Sequence, residues 1–223
     1  MAVILVIATI IFFLSLDWIV RHYRKSREAA AVPVPKTPEQ AQPLRIPNGV
    51  FFAKSHTWLN LFPSGKIRLG VDDFVSAMLE SPTVTLLKAT GDRVEKGDPL
   101  LTLRQGDRTL TVCSPLAGEI TALNTQLERS PDLMHEQLFS DGWAFAMKPQ
   151  KPEEIRAFML GDESRSWMQN ELQRLRDLFA GVGTASALAP VSIQDGGMPV
   201  SGALKSMSAD QWKQFEEEFL RVR

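Results

Sequence analysis

The central hundred residues of this chain predict a small, mainly β domain, an antiparallel sandwich or barrel. Three observations carry that expectation. From Gly49 onward, short apolar runs are broken every eight to twelve residues by turn residues, at Pro63-Ser64-Gly65, Gly91-Asp92, Gly97-Asp98, Gly106-Asp107, Pro115 and Gly118. Leu101 and Leu103 alternate with Thr102 and Arg104, and Leu110 and Val112 resume the alternation beyond Gly106-Asp107, which marks a hairpin. With 44% hydrophobic residues in 223, the chain has material for a real core.

The chain opens differently. Of residues 1–20, 17 are apolar, the exceptions being Thr9, Ser15 and Asp17. A helix here satisfies its own backbone in lipid and spans roughly 28 to 30 Å, the thickness of the hydrocarbon layer. A cleaved signal peptide would carry its charge before the apolar run. Here Arg21, His22, Arg24, Lys25 and Arg27 follow it instead, although Ala29-Ala30-Ala31 fits a cleavage pattern. The basic cluster predicts a single-pass anchor in the cell inner membrane, with everything after residue 20 on the cytoplasmic side. Residues 21–48 form a basic, proline-rich linker, with five of the 14 prolines between 32 and 47, a stiff tether.

Within the domain expected at 49–150, two stretches are predicted helical. One is 71–80, where Phe74, Met78 and Leu79 share a face and Asp72 and Asp73 sit near the N-terminus; the other is a short turn around 130–136. The hairpin spans 99–115, its Gly-first break suited to a type II′ turn. It is preceded by Gly91-Asp92-Arg93-Val94-Glu95-Lys96-Gly97-Asp98 and followed by Ser114-Pro115-Leu116-Ala117-Gly118.

That order of turn, strand, turn, protruding hairpin and Ser-Pro-x-x-Gly turn resembles the lipoyl and biotinyl carrier modules. The wider context is similar to the H proteins of the glycine cleavage system. The stretch from Phe51 to Leu59, with His56 and Trp58, looks like that family's opening, and Gly70 to Phe74 like its glycine-led entry into a helix. Asn124 and Leu127, Pro131 and Leu133, Gly142-Trp143 and Lys148-Pro149 match the closing pattern. The resemblance implies a lipoyl-type barrel-sandwich hybrid with short flanking helices, and a carrier rather than an enzyme. In that family a hairpin lysine bears lipoate, which ferries an aminomethyl group between partner enzymes. By the same resemblance the lysine position falls on Asp107, between Gly106 and Arg108, and no lysine occurs between Lys96 and Lys148. Arg108 is no substitute, because its guanidinium stays protonated. Lys96 precedes the Gly97-Asp98 turn and Lys88 lies in the strand region before it, so neither is expected on an exposed tip.

Other chemistry is thin. His56 beside Trp58 reads as a structural pair, and His135 near Asp132 and Glu136 makes a weak metal signal without a second cluster. Cys113 is the one cysteine, so the fold does not depend on a disulfide, and it reads as a small buried strand residue. No phosphate-binding glycine loop or nucleophile elbow occurs. The balance of 25 basic and 26 acidic residues speaks against nucleic-acid binding on charge. Catalytic residues, metal ligands, a bound cofactor and a small-molecule substrate are therefore not expected.

The remainder predicts C-terminal amphipathic helices. Residues 151–180 form a helical extension, with helix at 152–160 and again at 162–180; there Met168, Leu172, Leu175 and Phe179 make a stripe, and Arg165, Glu171, Arg174 and Asp177 lie opposite. Residues 181–205 read as a flexible linker and 206–223 as a terminal helix with Ser208 and Gln211 as a capping box. Its aromatic face, Trp212, Phe215 and Phe219, docks either on its own domain or in the groove of an unidentified partner protein. Three functions remain open. One is a membrane-anchored, non-lipoylated module acting by protein binding; another is a working H protein carrying aminomethyl groups on lipoate. The third is a periplasmic adaptor of the membrane-fusion type, whose long helical hairpin has no room where only Gly106-Asp107 joins the strands.

Overall fold

The computed structural model describes residues 45–180 and 202–222. The anchor expected at 1–20, the tether as far as residue 44 and the stretch 181–201 lie outside the described residues. Among the described residues no helix is long and apolar enough to cross a membrane.

The strands are β1 (Phe51–Ala53), β2 (Thr57–Leu61), β3 (Ile67–Val71), β4 (Thr83–Leu86), β5 (Arg93–Val94), β6 (Pro99–Gln105), β7 (Arg108–Cys113), β8 (Gly118–Leu123), β9 (Phe145–Pro149) and β10 (Met159–Leu160). They pair antiparallel into a seven-stranded sheet, β10-β1-β2-β3-β9-β8-β5, and a three-stranded sheet, β4-β6-β7. The inward residues of both sheets share one apolar core. Alternation decides the register of the hairpin: Leu101, Leu103, Leu110 and Val112 are each at most 1% exposed, while Thr102 and Arg104 turn outward.

The two Gly-Asp turns before the hairpin are built alike. In Ala89 to Asp92 and in Glu95 to Asp98 the last N–H donates to the first carbonyl, at 3.2 and 3.1 Å, and each aspartate carboxylate accepts the first residue's N–H, at 2.7 and 3.1 Å. Gly91 and Gly97 stand at the third position with φ of +93° and +95°, which a type II turn requires and a side chain resists. Each also donates its N–H to a neighbouring segment, to Ile120 and Ser114, both at 2.8 Å. The repeated dipeptide therefore stitches the loops to the sheet.

Helix α1 (Asp73–Met78) begins where Asp72 caps it, its carboxylate accepting the Val75 N–H at 3.1 Å. Phe74, Met78 and Leu79 are buried on the expected face. Two short helices, α2 (Gln126–Arg129) and α3 (Leu133–Glu136), fill the region expected to hold one turn. The expected helix at 152–160 is instead a 3-10 turn at Pro152–Ala157 followed by β10, which pairs Leu160 with Phe51 and Met159 with Phe52. The free edge of β1 and the burial of Met159 outweigh helix propensity there. Helix α4 (Asp162–Ala180) follows, and α5 (Ala209–Phe215) continues as a π-helical turn at Glu216–Leu220. In the described tail the Gly202 N–H donates to the Ala77 carbonyl at 3.0 Å.

Candidate functional site: the hairpin tip and the tail that covers it

Gln105 pairs with Arg108 across a two-residue turn. Gly106 has φ of +66° and Asp107 does not share it, the combination that a type II′ turn demands. The tip projects Asp107 into solvent with 96% of its side chain exposed, whereas the Arg108 side chain is 30% exposed. Arg108 donates to the Met207 carbonyl and lies 5.8 Å over the Trp212 ring. Gln105 turns back instead, its Oε1 accepting the Glu80 N–H at 3.0 Å.

The terminal segment lies along this hairpin. Ser208 and Gln211 form the expected capping box. Trp212 donates its indole N–H to the Thr109 carbonyl at 3.0 Å, and Glu216 Oε1 accepts the Thr111 N–H at 2.7 Å. Phe215 and Phe219 are 0% and 1% exposed, with ring centroids 6.2 and 5.3 Å from that of Phe74. Trp212 is 4% exposed. The aromatic face named as a partner surface thus lies against its own domain, because burying each ring contributes roughly 1.5 to 3 kcal/mol that a 12-residue helix alone does not gain.

Beneath Phe219 lies a charged cluster. His56, at φ +55° between β1 and β2, is 0% exposed. Its Nδ1 is 2.8 Å from Asp72 Oδ2, and its Nε2 is 3.7 Å from Glu171 Oε2, an ion-pair separation longer than a hydrogen bond. The ring stacks on Phe74 at 4.2 Å and 13°, with Trp167 at 4.9 Å. Burial pushes the imidazole pKa down, but the charge and hydrogen bond of Asp72 and the nearby Glu171 carboxylate outweigh it and raise the value to about 9. Burial pushes Glu171 up in turn, and the nearby His56 ring and the hydrogen-bonded Arg174 guanidinium outweigh it and hold its carboxyl low. Arg174 Nη1 is 2.6 Å from Glu171 Oε2; its Nη2 donates to the Glu218 carbonyl at 3.2 Å, and its guanidinium lies 4.9 Å over Phe219. The cluster is charge-balanced with His56 protonated.

His56 and Trp58 are therefore not a pair; the Trp58 ring meets Phe139 at 5.5 Å. Glu171, expected on the solvent face, is 6% exposed because its charge is matched on both sides. His135 is at the surface, 3.9 Å from Asp73, and among the described residues no group of three His, Cys, Asp or Glu is placed to hold a metal ion. Cys113 is half-buried, its thiol pKa pushed up by burial, then by Glu216 and Asp98. Lys88 sits 3.8 Å from Asp98. Lys96 is exposed within the Glu95 to Asp98 turn, contrary to its expected position.

A family model for the glycine cleavage H-protein matches residues 50–171, more than half of the chain and the whole two-sheet domain. The chain belongs to the glycine cleavage H-protein family. That family is one of carriers rather than catalysts, and the barrel-sandwich fold is its fold. Similar sequences include a probable glycine cleavage system H protein 2 from Saccharolobus solfataricus, 28% identical over 138 residues, which is 60% of this chain and 88% of that protein. The glycine cleavage system H protein of Psychrobacter cryohalolentis is 29% identical over 127 residues, 57% of this chain and 98% of that protein. A solved glycine cleavage system H protein from Mycobacterium marinum aligns with TM-score 0.48 at 21% identity, over 57% of this chain and 100% of that one.

Proposed function

We propose that this chain is a membrane-anchored member of the H-protein family that carries no lipoyl group and acts by binding other proteins. One observation carries the reading: the residue at the exposed hairpin tip is Asp107, a carboxylate with 96% of its side chain in solvent. An amide-linked lipoyl arm needs a primary amine, so the tip does not fit that group. Arg108 is engaged by Met207 and Trp212, which leaves Asp107 as the side chain that the tip offers outward. Residues 1–20 anchor the protein in the inner membrane and the proline-rich tether holds the domain on the cytoplasmic side. A reporter fused after residue 223 is expected to be active in the cytoplasm; activity restricted to the periplasm would favour the adaptor reading.

A second reading draws on the family match itself, that the chain is a working H protein carrying aminomethyl groups on lipoate. It requires an amine away from the tip, and Lys96 in its exposed turn is the candidate. Mass spectrometry of the intact chain from a host supplied with lipoate separates the two readings, since an added lipoyl mass would overturn the first.

A further inference from the structure

Strand β7 is an edge strand of the three-stranded sheet. Its register places Thr109 and Thr111 opposite Arg104 and Thr102, at positions whose backbone groups point away from β6 along the free edge. An open edge of this kind is ready to pair with another chain. Here the tail closes it without a strand: the Thr111 N–H ends on Glu216 and the Thr109 carbonyl on Trp212. Two latches hold the same segment at the tip, Arg108 on Met207 and Lys205 on Glu80 at 2.8 Å.

The family match does not include this cover. The family match ends at residue 171, and 98% of the Psychrobacter protein is accounted for within 127 residues. The tail is joined to the domain through residues 181–201, and its 12 helical residues are too few to hold a helix alone, so release and unfolding are one event.

We propose that residues 202–222 are a reversible mask, and that the surface beneath takes the amphipathic helix of a partner protein. The tail is the template for that partner: aromatic residues at i, i+3 and i+7, as in Trp212, Phe215 and Phe219, and a carboxylate at i+4, as in Glu216, to meet the Thr111 N–H. Arg174 and Arg108 supply complementary charge at the two ends of the groove. The partner half of the proposal rests on the reading of the chain as a protein-binding module.

Native-state hydrogen exchange on the full-length chain tests it. The Thr111 amide is held by the tail alone, whereas Leu103 and Leu110 face one another in the β6/β7 ladder. Thr111 and the amides of 212–220 are expected to exchange together, at least roughly a hundredfold faster than Leu103 and Leu110. Phe219→Ala, and independently Trp212→Ala, are expected to speed that group by roughly a further hundredfold and leave Leu103 unchanged. A labelled synthetic peptide of residues 202–222 is expected to bind full-length Phe219→Ala at least tenfold more tightly than the wild-type chain. Exchange of Thr111 only together with Leu103 would make the tail a fixed part of the core and overturn the mask. Faster exchange in Phe219→Ala without peptide binding would overturn the helix-accepting surface. Neither result depends on lipoylation, so an added lipoyl mass on the same sample overturns the binding-module reading separately.

Discussion

Raising the pH through 9 should unlock the buried cluster under the tail. The folded pKa of His56, about 9, stands above its unfolded value of 6.5, so its contribution to stability is complete below 6.5 and is lost as pH rises through 9. The gap between those two values corresponds to roughly 3 kcal/mol at a ring closed to solvent. A large fraction of a domain's net stability is involved. The assay is urea unfolding of the chain between pH 6 and 10, set against His56→Gln. The variant lacks the titrating ring, so other groups that ionise in this window cancel in the difference. The stability difference between wild type and variant should shrink by roughly 3 kcal/mol across the range, with most of the change above pH 7. The imidazole proton signals of His56 should titrate near 9. A difference that is flat with pH, or a ring titrating near 6.5, would refute a protonated histidine held by two carboxylates.

Glu171→Gln preserves shape but removes one of those carboxylates, so the His56 titration should move below that of the wild type; an unchanged titration would assign the shift to Asp72 alone. Two glycines should respond unequally to alanine. At Gly118 a Cβ would lie 2.6 Å from the Lys148 carbonyl oxygen, so the β8/β9 pair must part and the melting temperature should fall steeply. At Gly106 no atom lies within 4 Å of a Cβ and only the φ of +66° is strained, so the loss should be about 1 kcal/mol. Equal losses at the two sites would contradict this separation of clash from strain.

The hairpin was legible because its alternation and its Gly-first turn act within 15 residues, and local pattern suffices when both strands and the turn are contiguous. The capping box of Ser208 and Gln211 was legible for the same reason. The His56 cluster was not, because it joins residues 56, 72 and 171, and no periodicity reports a contact between a loop, a helix cap and a distant helix. A signal for Glu171 did exist: it lies three residues after Met168 and four before Leu175, inside the apolar stripe, where an acidic side chain requires a buried partner. The two residues of β10 are too few to alternate, so the cross-strand pairing with β1 that decides their structure has no local trace. Docking of the aromatic tail on its own hairpin was one of two open readings, because the stripe specifies an apolar groove without naming whose groove it is.

On the proposed reading, the hairpin of this H-protein family member ends in a binding surface and bears no prosthetic arm. Intact-mass measurement on the full-length chain, purified from a lipoate-replete native host, tests it directly. The expected result is the unmodified mass, with no lipoylated species beside it. A species heavier by one lipoyl group, located by peptide mapping to Lys96 or any other lysine, would contradict it.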